Sequence, residues 1–457
     1  MTIRKTMPSP INSYHAAPVA ASSLGERLAW LLFLATSAHL AFLQPLVEVI
    51  PGERAKVFSG LWCAVTLLLV VIFARSKSVS LRTPAVLVSL TLMILVLVSS
   101  FHSPERASSL ARGFVILSAG LGGYWSARLL LRTPERQRLF LWFSLGLLVA
   151  VMLLCGAGIW ATGNIFHFLD EHYHPVGSRI ILFSFVPLAL VCSPARRKVE
   201  AGIVLLGVAY LELLLAGKNL GMGSALFVPP AVGLLAVCFR TWSGRQLVII
   251  LSLLFLASAT AGNLLFPPFA NKERYLESVA YRVENVRFSW HLAWEHPWLG
   301  IGLWASRESY LKDYETKYPH LTKEDFSAVT RKLKTSENNF LTFMADLGLP
   351  TLLLYSSAVI VILGRLTGQA LQVPVGAVFP PLALLLPLMG EILHLQVFDG
   401  LFHPQVSWFF HILLGLATTS AASGSPHPGG WKAFVVRFLM FGAVMVGGGA
   451  LGIMLIR

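Results

Sequence analysis

The sequence predicts an all-α polytopic membrane protein with about 12–13 transmembrane helices and one large extracytoplasmic loop. Three observations predict it. Of 457 residues, 55% are hydrophobic and only 13% charged, where soluble domains carry about 25% charged residues. Mean hydropathy is +0.69. Apolar runs of about 20 residues recur along the chain, each long enough to cross a hydrocarbon core of roughly 30 Å. These features exclude a soluble enzyme, a disordered scaffold and a disulfide-stapled secreted domain.

Residues 1–26 are rich in Ser, Ala and Pro and read as a disordered cytoplasmic tail. The apolar run that follows starts too late and continues too long for a cleaved signal peptide. Transmembrane spans are expected at 28–50, 57–74, 84–101, 109–127, 139–161, 180–194, 201–217, 222–239, 247–266, 348–363, 373–395, 403–419 and 434–456. The last of these reads either as a span or as a peripheral helix. The chain thus divides into the tail, spans one to nine over 27–266, a hydrophilic helical loop domain over 267–338, and C-terminal spans over 339–457. No internal repeat is evident, which weighs against the inverted-repeat architecture of many secondary transporters.

Charge placement sets the orientation. The net charge is +14, but the basic residues sit in short clusters between apolar runs, so nucleic acid is not an expected partner. Arg75, Lys77 and Arg82; Arg128, Arg132, Arg136 and Arg138; Arg196, Arg197 and Lys198; and Arg240 and Arg245 all fall on the side of the N-terminus. The positive-inside rule makes that side cytoplasmic. The 267–338 loop follows an odd-numbered span and lies outside. All four cysteines, Cys63, Cys155, Cys192 and Cys238, fall in or at the ends of apolar spans, where they act as small hydrophobes. Neither a disulfide nor a metal is expected.

Within the loop, Tyr275, Val279, Val283, Val286, Trp290 and Trp294 recur at three- and four-residue spacing over 271–296. That is one apolar face of a helix. Pro297 ends it, and the turn-rich stretch Trp298-Leu-Gly300-Ile-Gly302 follows. A second helix is expected from Thr322, with Asp325 completing a capping box. The chain re-enters the membrane through Thr335-Ser-Glu337-Asn338-Asn339.

Arg287-x-x-Trp290-x-x-Ala293, Pro297-x-x-Gly300-x-Gly302, and Asn339-Phe340-Leu341 leading to Asp346-Leu-Gly-Leu-Pro350 stand in that order around the loop. This pattern resembles the O-antigen ligase/polymerase superfamily, specifically over about 65 residues. The resemblance implies a fold of the lipid-sugar glycosyltransferase (GT-C-like) type in the bacterial inner membrane, with the loop periplasmic. It implies a donor glycan on undecaprenyl diphosphate, and as acceptor either lipid A–core, for a ligase, or a second carrier-linked glycan, for a polymerase. No nucleotide sugar, cofactor or catalytic metal is implied.

The resemblance assigns Arg287 to the diphosphate, whose developing charge a planar guanidinium can hold through two oxygens; an ordinary helical pair with Glu284 is the alternative. Lys218, at the outer end of the seventh span, stands where family members often carry Ser-Arg. It either supplies a point charge to phosphate or reaches to lipid headgroups. Arg179, opening the sixth span, faces the same choice, and Arg282 flanks the loop helix. Many family ligases have His where this chain has Asn338, and an amide cannot take a proton from an acceptor hydroxyl. Its neighbour Glu337 is the candidate base, or else a helix-start charge favoured by the macrodipole. This Glu-Asn pair is closer to exopolysaccharide polymerases than to lipid A–core ligases.

Asn339, Trp290, His394 and His403 are candidates for an acceptor or sugar groove. The alternative for the histidines is a solvated-loop role, and for Trp290, Trp298 and Trp304 that of interfacial anchors. Glu212 and Glu391 are intramembrane carboxylates and so functional suspects. His167, Asp170, Glu171, His172 and His174 crowd one outer loop without fixing a metal-ligand set. The expected activity is a metal-independent, inverting glycosyl transfer. A lipid-linked-oligosaccharide flippase, or another polytopic transporter, is the alternative.

Overall fold

The computed structural model describes residues 24–42, 52–73, 83–162, 173–192, 286, 288–303, 305, 338–370, 378–396 and 398–421. Among these, every regular element is helical. Eleven α-helices follow in order: α1 Leu24–Ala41, α2 Gly52–Phe73, α3 Pro84–His102, α4 Arg106–Leu130, α5 Pro134–Thr162, α6 Tyr173–Phe183, α7 Phe185–Cys192, α8 Asn339–Leu347, α9 Leu349–Ala370, α10 Pro381–His394 and α11 Pro404–Ala421. Residues 288–295 form a further helical stretch, and Gly400–Phe402 a 3-10 turn. Among the described residues, four helical segments are long and apolar enough to span a membrane: Lys56–Phe73, Pro84–His102, Pro134–Thr162 and Leu349–Gln369. The chain is an all-α polytopic membrane protein. The spans read at 201–217, 222–239, 247–266 and 434–456 lie outside the described residues.

The first helix is described to Ala41, and residues 43–50 of the span expected there lie outside the described residues. One difference from the sequence reading has a physical cause. The span expected to open at 180 begins at Tyr173 and breaks at Ser184. Pro187 lacks the N–H that would close onto the Phe183 carbonyl, so the ladder is interrupted there. The Ser184 hydroxyl turns back to the Ile181 carbonyl at 2.6 Å.

α4 and α11 are packed backbone to backbone at the centre. A Cβ on Gly123 would lie 2.4 Å from the Trp408 carbonyl oxygen, and one on Gly415 2.5 Å from that of Tyr124. Small residues at such crossings admit the close approach that drives helix association in lipid. Trp408 is fully buried, and its indole N–H donates to Ser37 Oγ on α1 at 3.0 Å. At one end of the bundle Arg136 pairs with Glu26 and Phe73 abuts Gly25. The antiparallel threading gathers Ala41, the α3–α4 turn, residues 297–303, α8 and the α10–α11 connection at the opposite end.

Candidate functional site

The two motif segments meet at that end. The N–H of Ile301 donates to the Ala345 carbonyl (3.0 Å), that of Gly302 to Asp346 (2.9 Å), and that of Leu349 to Pro297 (2.7 Å). Ser99 Oγ on α3 also donates to the Asp346 carbonyl, at 2.9 Å. Three glycines make the crossing possible. Gly300, Gly302 and Gly348 have φ of 64°, 90° and 82°, a region that side chains resist. A Cβ on Gly300 would lie 2.3 Å from the Asp346 carbonyl carbon, and one on Gly348 2.3 Å from the Trp298 oxygen. The Gly-x-Gly and Asp-Leu-Gly motifs are therefore the two halves of one backbone interlock.

The interlock anchors the helical stretch 288–295. Phe288, Leu292 and Ala293 are buried, while Trp290 is 52% and Trp294 64% exposed. Their rings meet edge to face at 5.8 Å. Trp298 extends the exposed aromatic face. Trp290 therefore presents an open ring face.

α8 starts on an N-cap that uses both halves of one amide. Asn338 Oδ1 accepts from the Leu341 N–H (3.0 Å), filling one of the helix's orphan donors. Its Nδ2 donates to the Gln396 carbonyl, also at 3.0 Å. Asn339 is buried. Its backbone N–H donates to the Leu395 carbonyl (2.9 Å), and its Oδ1 accepts from the Leu401 N–H (2.9 Å). Its Nδ2 makes no hydrogen bond among the described residues. Asn338 and Asn339 thus stitch the start of α8 to the α10–α11 connection.

Arg179 lies in the second turn of α6, 1% exposed. One guanidinium nitrogen donates to the Ala41 carbonyl (2.7 Å) and Nε to the Pro175 carbonyl (3.2 Å). Its charge is held inside the protein, not extended to lipid headgroups. Beside it, Ser178 Oγ donates to Glu391 Oε1 at 2.8 Å and lies 2.9 Å from His394 Nδ1. All three are buried; His394 therefore faces this cluster and not an open surface. Its ring also packs on Phe398, which in turn packs on His403 at 5.1 Å. His403 Nε2 lies 3.9 Å from Asp399 Oδ1.

Of the candidates, the structure brings Asn338, Asn339, His394 and His403 around one connection, with Arg179 next to Ser178. Arg287, Lys218, Arg282, Glu337, Glu212, Trp304 and, of the acid–histidine group, His167, Asp170, Glu171 and His172 lie outside the described residues. Sequence reasoning missed Ser178 and the Gln396 carbonyl. Only Asn338 carried a readable signal, a capping residue directly before an apolar helical run.

Four apolar spans among the described residues, together with glycine-mediated helix crossings, describe a multi-pass membrane protein, with the described candidate residues gathered at one end. Residues 177–356 match the family model described as O-Antigen ligase, so this stretch of the chain is similar to that family. The match spans α6 to the first turns of α9 and contains the interlock. No curated protein matches the chain.

Proposed function

We propose that this protein is a glycosyltransferase of the bacterial inner membrane. It transfers or polymerises a glycan carried on undecaprenyl diphosphate at the periplasmic face. The observation that carries this reading is the interlock within the family-matched segment: it ties the helical stretch following Arg287 to α8, whose N-cap follows Glu337. In this proposal the two ends serve one substrate.

In this reading Arg287 holds two oxygens of the departing diphosphate, as a planar fork can. Lys218 and Arg282 add charge, and Arg179 contributes from its buried position. Glu337 takes the proton from the acceptor hydroxyl. The acceptor oxygen bonds to the anomeric carbon from the face opposite the carrier, the bond to phosphate breaks, and undecaprenyl diphosphate leaves with inversion. No metal or cofactor is required. Asn338 fixes the start of α8, so its amide serves as a scaffold where a ligase would use His. The open face of Trp290 suits a sugar ring and His403 a sugar hydroxyl, while Asn339 and His394, both fully buried, support the groove from within.

Purified protein given an undecaprenyl-diphosphate glycan and two acceptors in parallel tests this. Product on lipid A–core makes it a ligase; a ladder on the carrier, which the Glu-Asn pair favours, makes it a polymerase. Arg287→Ala should abolish either. Absence of product with both acceptors would retire the reading.

A further inference from the structure

We infer that Ser178, Glu391 and His394 form a buried clamp that positions the catalytic loop edge, an inference that rests on the site proposed above. The three side chains come from two helices more than 200 residues apart in sequence. Each is 0% exposed. Ser178 donates its single hydroxyl proton to Glu391 Oε1, so its contact with His394 requires the imidazole to donate from Nδ1. Glu391 Oε2 lies 3.7 Å from the same nitrogen and makes no hydrogen bond among the described residues. The hydroxyl is the hinge of the cluster: it joins α6 to both polar side chains of α10.

A buried carboxylate and imidazole near a membrane boundary are poor sources of stability, because desolvation offsets their attraction. Their best-attested use is to fix one register among several. The register fixed here leads directly to the site. His394 is the last residue of α10. The next two carbonyls, of Leu395 and Gln396, accept from the Asn339 backbone and the Asn338 side chain, and Asn339 closes the circuit on Leu401. The residue before this cap is Glu337. On the other helix, the residue after Ser178 is Arg179. One cluster therefore sets the end of α10 against the cap that follows the proposed base in sequence, and the turn of α6 that holds a proposed cation. Ser178, Glu391 and His394 are positioning residues; none touches the reacting atoms.

The test compares Ser178→Ala, Glu391→Ala and Glu391→Gln, the last keeping an oxygen that can accept from Ser178. Amide exchange is followed in peptides covering 338–341 and 398–403. Turnover is counted per donor-binding site, so that loss of folded protein does not enter. The two alanine variants should exchange about tenfold faster in these peptides, with α4 unchanged. Their kcat should fall by up to roughly a hundredfold, the scale of a small misplacement, at unaltered donor binding. Glu391→Gln should recover most of both. Unchanged exchange overturns the clamp, as does faster exchange with full turnover per site. If the parent protein transfers no glycan, the proposed function fails, and the exchange result alone then decides the clamp.

Discussion

Asn338 shows how one side chain can serve two elements. It caps α8 and holds the Gln396 carbonyl, so Asn338→Ala should remove about 1 kcal/mol for the cap alone. Asn338→Ser should keep the cap but lose the shorter reach to Gln396. Thermal unfolding in detergent separates the two, with Ser falling between Ala and the parent. Gly300 is less forgiving. Its positive φ and the 2.3 Å approach of Asp346 give Gly300→Ala a cost of about 3 kcal/mol, from backbone strain and overpacking together. An alanine variant with parental stability would show that the interlock is not needed. Residue roles of this kind were legible only where the signal is local. The cap and the motif glycines sit in short patterns. Ser178, by contrast, gains its meaning from Glu391, and nothing near either residue announces the other.

At the scale of elements, apolar length located the long helices among the described residues, because a segment that crosses lipid must satisfy its backbone internally. The start of α6 escaped that criterion. Tyr173–Ser178 contains His, Pro and Ser and reads as loop, yet burial of residues 175–178 against the bundle accompanies a helix that carries Arg179 inside. The α4–α11 crossing is the element contact with least tolerance. Gly123→Leu should force the helices apart at the Trp408 carbonyl and strip the Trp408–Ser37 hydrogen bond. We expect a loss of folded protein on size exclusion, whereas Gly146→Leu, where nothing lies within 4 Å of a Cβ, should elute normally. Equal behaviour of the two variants would contradict close packing as the basis of the bundle.

For the whole molecule, the basic end seen at Arg136 and the polar end built by α8 and the α10–α11 connection are opposite. Of the basic clusters, Arg128, Arg132, Arg136 and Arg138 are described and lie at the first end, whereas the described candidate residues lie at the other. Cysteines introduced at position 10 and at position 310 should differ in labelling of intact cells by an impermeant maleimide, only the latter reacting. The central claim is that this side performs group transfer. The most direct measurement follows undecaprenyl diphosphate release in proteoliposomes of the purified protein, supplied with the carrier-linked glycan and acceptor. The account predicts one carrier diphosphate released for each glycosidic bond formed, and none with Arg287→Ala. Passage of the glycan across the bilayer with its carrier linkage intact, and no release, would contradict it and make the protein a transporter.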